Sequence, residues 1–271
     1  MMSDTDKVFA GSVPDVYDEY LVPLIFEAYA ADLARRATSN EPRTVLETAA
    51  GSGVVTRALA PLLADGARYV VTDLNQPMLD RAAKMQGDDH RIEWQAADAL
   101  ALPYEDDSFD VVCCQFGVMF FPDRVAGYAE ARRVLKPGGQ FVFNAWDRIE
   151  DNEFADIVTQ IAGEVFRDNR PQFLARTPHG YHDVREIEAN LRAAGFANVS
   201  IETIAEASSA PTARHPAVAY CQGTPLRNEI EARDASRLAE VTKRATDAIA
   251  AQYGDGPVSA KIQGHVVTAT V

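Results

Sequence analysis

Val45-Leu46-Glu47-Thr48-Ala49-Ala50-Gly51-Ser52-Gly53 decides how this chain folds. It opens on apolar residues, passes through six small ones, and leads into an apolar-periodic run over 54–64. That is a strand, a tight turn and a helix. Small side chains let the backbone approach a ligand closely, and the start of a helix offers N–H groups without partners of their own. Any tight strand-to-helix connection can use such a turn, so its surroundings decide its meaning.

Working outward, strand-length runs rich in β-branched and aromatic residues fall at 44–48, 68–73, 91–96, 109–116 and 140–146. Helical patterns lie between several of them, as at 54–64 and 76–84, with Pro77 where a first helical turn accepts proline. Lys136-Pro137-Gly138-Gly139 is expected to end a helix and turn the chain into the next strand. Alternation at this spacing predicts an α/β fold, a Rossmann-like three-layer sandwich whose mostly parallel sheet is covered by helices on both faces.

Around this block, 13–37 reads as helical with an interruption at Pro23, and 152–166 as a helix followed by irregular chain to Tyr181. A helix over 183–194 ends at Gly195. A strand near 199–204, a helical excursion over 227–253 and a last strand near 261–269 complete the chain. We expect a single domain over 1–271. Within it, 1–40 forms an N-terminal helical cap, 44–146 the cofactor-binding core, and 147–271 completes the sheet and adds helical cap insertions.

The chain has 271 residues, 47% of them hydrophobic, and a formal net charge of -14. A protein that holds nucleic acid or an anionic membrane needs a positive surface. Here Lys and Arg cluster only in pairs such as Arg35-Arg36 and Arg132-Arg133, so neither partner is expected. Residues 1–10 show no basic segment followed by an apolar one, and no apolar run approaches the roughly 18 residues of a membrane span. Three cysteines, two of them adjacent at Cys113 and Cys114, read as reduced and buried in a cytoplasmic protein. A homodimer stays open.

Asp73 ends the second strand about 20 residues beyond the turn, where a carboxylate accepts both hydroxyls of a ribose. Gln95-Ala96-Ala97-Asp98-Ala99-Leu100 follows the third strand. There Asp98 could meet an adenine amino group, with Ala99 and Leu100 giving apolar contact and an N–H; Asp98 also suits a helix cap or turn. A dinucleotide site would want glycine three residues past Gly53, and that position is Thr56. Glu47, at the end of the first strand, would repel a pyrophosphate and attract an ammonium or sulfonium.

At this point the chain resembles the class I S-adenosylmethionine-dependent methyltransferases, nearest the small-molecule branch of the ubiquinone/menaquinone-biosynthesis type. VLETAAGSG (45–53), VVTDLNQPMLDRA (70–82), AADALALPYEDDSFDVV (96–112), QFGVMFFPD (115–123) and RVLKPGGQF (133–141) carry the likeness. It implies S-adenosylmethionine as cofactor and a small-molecule methyl acceptor. It implies a loop of Ala49, Gly51 and Gly53 around the methionine part, and Asp73 on the ribose. Leu74 and Met78 would flank the adenine, Asp98 would meet its amino group, and Gln115 would line the pocket. It also implies a seventh strand antiparallel to the rest, for which 261–269 is the candidate. The family's first loop glycine is Ala49 here, and alanine excludes most positive-φ conformations.

A sulfonium methyl is already electrophilic, so alignment does most of the work, and a base is needed only if the acceptor arrives protonated. Candidate bases are His179 and His182, in His179-Gly180-Tyr181-His182, and Tyr17; Tyr20 could join Tyr17 in closing over the ligands. All four also suit turn, surface or core roles. Phe116 could face an apolar acceptor. No histidine spacing suggests a metal site. Two other functions remain: an NAD(P)-dependent oxidoreductase, and a non-catalytic S-adenosylmethionine-binding protein.

Overall fold

The structure is a computed structural model and describes residues 13–271, with side chains from Asp15 onward. The start of the expected cap and the segment read for a leader lie outside the described residues. The chain divides into two compact units. The sheet unit comprises 27–145, 182–203 and 265–271; the helical unit comprises the chain up to 26 with 146–181 and 204–264.

Seven strands lie in the order β3-β2-β1-β4-β5-β7-β6. They are β1 (Thr44–Glu47), β2 (Arg68–Asp73), β3 (Ile92–Ala96), β4 (Phe109–Gln115), β5 (Leu135–Trp146), β6 (Asn198–Ala210) and β7 (Val258–Thr270). β1 is parallel to both β2 and β4, β2 to β3, and β4 to β5. β7 runs the other way: Gly138 N donates to Val271 O at 3.2 Å, while Asp147 N, one residue past the end of β5, donates to Gln263 O at 3.1 Å. The antiparallel seventh strand is therefore present, four residues longer than 261–269. Strand order reverses between β1 and β4. In open parallel sheets a ligand crevice forms at that reversal, outside the carboxyl ends of the strands.

Two sets of helices cover the sheet unit's faces. Phe141 and Phe143 alternate inward on β5 with ring centroids 4.8 Å apart, and Tyr128 from helix Arg124–Val134 stacks on Phe143 at 5.3 Å. Such pairs contribute about 0.5–1.5 kcal/mol beyond burial itself. On the opposite face Gln140 Nε2 donates to the Arg36 carbonyl at 3.2 Å. That places 140, 142 and 144 of β5 on the side of helix Glu27–Ala37.

Several elements differ from the sequence reading. Leu135 through Gly139 is already strand, because Gly138 N and the Gly139 carbonyl pair with Val271. The excess residues form a bulge opposite β4, with register shifting between Phe109 and Val111. The run 54–64 is shorter, an α-helix over Val54–Leu59 and one 3₁₀ turn around Pro61. Pro23 does not break the N-terminal helix: Tyr17–Phe26 is wound as a π-helix, whose wider turn accommodates the missing N–H.

The helical unit holds three successive helices, Arg214–Gln222, which the sequence reading missed, and Leu226–Asp234 and Leu238–Tyr253, into which the excursion expected over 227–253 divides. The first and third pack on each other and on Glu153–Val165. Their inward residues, Ala217, Val241, Ala245, Ile249 and Val158, are fully enclosed.

Candidate functional site

The turn between β1 and helix Val54–Leu59 is left-handed at three positions: Ala49 at φ 52, Gly51 at φ 57 and Gly53 at φ 78. Ala49 thus holds the geometry alanine resists, at a cost of about 1–2 kcal/mol. The turn is pinned from both flanks. Ala50 N donates to the Thr72 carbonyl at 3.0 Å, and Gly51 N donates to Asp73 Oδ2 at 2.8 Å. A Cβ on Gly117 would lie 2.6 Å from the Ala49 Cβ, so the chain after β4 packs directly against the turn. A Cβ on Gly51 would come within 3.9 Å of Met78 Cε, which brings Met78 to the same place.

Asp73 joins these parts. Its Oδ1 accepts from Asn75 N at 2.7 Å while its Oδ2 holds Gly51. Burial raises its carboxyl above the ordinary range, and the backbone N–H bonds pull it back down. An ionised carboxylate has about four acceptor sites, so two remain for a ligand. The Asp73 carbonyl accepts from Ala97 N at 3.1 Å, which ties the segment after β3 to the same edge. There Asp98 is exposed and its Oδ1 accepts from Leu100 N at 2.9 Å, closing a turn that half-buries Ala99. Leu74 stands 63% exposed, an unusual setting for leucine that leaves an apolar face at the edge of the group. Gln115 ends β4 half-buried.

Glu47 is the residue whose setting differs most. Register pairs it with Val71, two residues short of Asp73, so it lies about 7 Å deeper along the strands than the crevice rim. It is 1% exposed, and its Oε2 accepts from both the Tyr69 hydroxyl and Thr56 Oγ1, the latter at 2.7 Å. The expected row of three open carboxylates becomes one exposed, one half-buried and one enclosed.

Sequence reasoning missed Tyr69 as a partner of Glu47 and used Thr56 only to argue against a dinucleotide. The available signal was strand alternation, which puts Tyr69 and Glu47 on one face. Gly117 was missed as well, although a glycine two residues past a strand end is the usual mark of close backbone approach.

Burial pushes the Glu47 carboxyl up to about 7 from an ordinary 4.5, against the pull of its Tyr69 and Thr56 bonds. The folded chain then keeps this proton where the unfolded chain has lost it. The resulting stability, about 3 kcal/mol, is fully present below pH 4.5 and disappears as pH rises through about 7. Glu47→Gln should flatten that slope. Its oxygen still accepts both hydroxyls, so urea midpoints of variant and wild type should converge near pH 5, with the variant the more stable at pH 8. Parallel pH profiles would show that Glu47 does not hold its proton.

Phe116, next after Gln115, is buried at φ 48, a strained setting for an aromatic residue, with the Tyr29 ring edge-on at 5.2 Å. Strain of this kind concentrates at functional sites. The candidate bases are placed as follows. Tyr17 packs on Phe26 with centroids 5.3 Å apart, and Tyr20 lies 4.5 Å from the His215 ring. His179 is buried, and its Nδ1 donates to the Asp147 carbonyl at 2.8 Å. The His182 side chain is exposed, and its carbonyl accepts from His265 Nε2 at 2.9 Å. Tyr17, Tyr20 and His179 belong to the helical unit and His182 to the sheet unit.

Known proteins share this architecture. The fold is similar to that of phosphoethanolamine N-methyltransferase 2 of Haemonchus contortus, solved with S-adenosyl-L-methionine (TM-score 0.59, 17% identity, 99% of this chain and 60% of that one). It is also similar to the 4+2 cyclase SpnF (TM-score 0.54, 18% identity, 89% and 80%). At these identities the likeness is one of fold. In sequence, the demethylmenaquinone methyltransferase of Clavibacter sepedonicus is 32% identical over 167 residues, 57% of this chain and 66% of that protein. The matched stretch is thus just under two thirds of that relative's length. The model of the ubiE/COQ5 methyltransferase family matches residues 6–211, which include the whole turn, Asp73, Asp98 and Gln115. Over that span, three quarters of its length, this chain belongs to the ubiE/COQ5 methyltransferase family.

Proposed function

We propose that this chain transfers a methyl group from S-adenosylmethionine to a small-molecule acceptor by in-line displacement. The observation that carries the reading is the Asp73–Gly51 bond. It sets a carboxylate with spare acceptor sites beside a left-handed turn, where the strand order reverses. A nucleoside fits the donor set. Asp73 takes the ribose hydroxyls, Leu74 and Met78 cover the adenine, and Asp98 and Ala99 meet its polar edge. Ser52 Oγ, enclosed without a hydrogen-bond partner among the described residues, lies within the turn assigned to the amino-acid end. Ala49, Gly51 and Gly53 shape that turn, and Gln115 bounds its far side.

S-adenosylmethionine supplies an electrophilic methyl on a sulfonium. The protein's own work is to hold the acceptor in line with it and exclude water, which is worth about 7–11 kcal/mol of barrier in well-aligned reactions. Glu47 stays behind the turn and fixes it through Thr56 and Tyr69. With Thr56 engaged there, the turn lacks the third glycine a dinucleotide would use. A second reading is a non-catalytic S-adenosylmethionine-binding protein, because a fold shared with the 4+2 cyclase SpnF does not fix the reaction.

The relatives' names put a quinone-type ring first among acceptors. The net charge of -14 stands against nucleic acid, and no helix among the described residues is long and apolar enough to cross a membrane. Cys113, Cys114 and Cys221 are all unpaired thiols, which supports a reducing compartment such as the cytoplasm. A base from His179, His182 or Tyr17 is needed only for a protonated acceptor.

Titration calorimetry should show S-adenosylhomocysteine and S-adenosylmethionine binding and NADH not binding. Methyl transfer from labelled cofactor across an acceptor panel then separates enzyme from binder. Tight NADH binding without S-adenosylhomocysteine binding would overturn the reading.

A further inference from the structure

Asn144 lies on β5 and is 0% exposed, yet neither its Oδ1 nor its Nδ2 meets a hydrogen-bond partner among the described residues. A buried carboxamide left this way is rare in a folded protein, because its desolvation goes uncompensated. Elsewhere in the sheet unit Glu47 and Thr72 are engaged, while Ser52 Oγ, left in the same way, lies in the turn assigned to the cofactor. The orphan therefore points to a ligand.

Register says where that ligand sits. Asn144 pairs with Gln115, and Cys113, two residues earlier, pairs with both Glu47 and Val142. In a parallel sheet paired residues share a face, so Asn144, Gln115 and Glu47 all lie on the side of helix Glu27–Ala37. Asn144 is two residues nearer the carboxyl end than Glu47, at the crevice rim. Across the sheet, β5 is three strands from β2, about 14 Å from the level of Asp73. One methylene joins the cofactor's sulfur to its ribose. The reacting methyl therefore stays closer to Asp73, and β5 lies beyond it.

Resting on the methyl-transfer reading, we propose that Asn144 is an acceptor-binding residue that holds the methyl acceptor by a paired hydrogen bond. Its Nδ2 donates to a carbonyl or ring oxygen and its Oδ1 accepts from a hydroxyl. Both Asn144 and its register neighbour Gln115 are amides with a donor and an acceptor each, which suits the oxygens of the quinone-type ring put first above. The strained Phe116, adjoining Gln115, supplies the apolar wall.

Asn144→Leu keeps the volume and removes both polar atoms. Three readings on full-length protein test the assignment: the thermal midpoint without ligand, S-adenosylhomocysteine affinity, and KM for an alkylated 1,4-naphthoquinol, with phosphoethanolamine as the charged comparison. The expected result is an unchanged or higher midpoint, S-adenosylhomocysteine affinity within about twofold, and KM for the naphthoquinol raised at least tenfold. A midpoint several degrees lower would mean that the carboxamide is satisfied inside the fold, and the assignment fails. A tenfold loss of S-adenosylhomocysteine affinity would give Asn144 to the cofactor, and an unchanged KM would remove it from acceptor binding. Wild-type protein that prefers phosphoethanolamine, or does not saturate with the naphthoquinol, overturns the pairing of Asn144 with a quinone-type ring. Failure of wild type to bind S-adenosylhomocysteine instead sinks the methyl-transfer reading itself.

Discussion

Gly53→Ala should lower the thermal midpoint by about 6–12 °C and abolish tight S-adenosylhomocysteine binding. Two effects add. The residue sits at φ 78, which costs a side-chain-bearing residue about 1–2 kcal/mol. The new methyl would lie 2.9 Å from the Ala82 Cβ and 3.4 Å from its Cα, so helix Gln76–Gln86 must shift. Overpacking of that kind costs about 1–3 kcal/mol. A total near 3 kcal/mol, at about 2–4 °C per kcal/mol in a chain of this size, gives the stated drop. The same helix carries Met78, which is why binding falls with stability. Gly66→Ala is the control, since nothing lies within 4 Å of its added methyl. Equal midpoints for Gly53→Ala and Gly66→Ala would mean that the turn is not packed as described.

Asp73→Ala should weaken S-adenosylhomocysteine binding by about 1–3 kcal/mol, about 5- to 150-fold, with the sheet intact. The loss has two sources. The ribose hydroxyls lose their acceptor, and the Gly51 and Asn75 N–H groups lose theirs, which loosens the turn before any ligand arrives. Asp73→Asn separates the two. One amide oxygen can still accept, but the other position becomes a donor facing an N–H, so its affinity should fall between alanine variant and wild type. A folded Asp73→Ala protein with wild-type affinity would remove Asp73 from the site and take the proposed function with it.

Much of the cofactor side was legible before any coordinates. The alternation of short apolar runs with helical patterns located β1, β2 and β3 within a residue or so, and Asp183 and Gly195 bracketed their helix correctly. These features depend on near neighbours in the chain, where side-chain period and capping act over a few residues. β6 and β7 were the weak points. Each is 13 residues long, against six for 199–204 and nine for 261–269, because their extra length comes from pairing with distant strands and not from local propensity. Lys136–Gly139 failed for the same reason: proline and glycine signalled a turn, and the partner that makes them strand is Val271, at the far end of the chain.

What the sequence determined by itself was the strand–turn–helix around 45–53, the acids at the ends of β1 and β2, and through them the family. What only the tertiary structure decided was depth. Register sinks Glu47 one pleat repeat below Asp73, against Tyr69 and Thr56, and turns an expected open charge into an enclosed carboxyl near neutrality. Register and burial likewise pick out Asn144, an ordinary letter in an apolar run, as a carboxamide with nothing to bond. Residue order fixes what a strand can present, but desolvation depends on which strands and helices close over it, and that is set by contacts far apart in the chain.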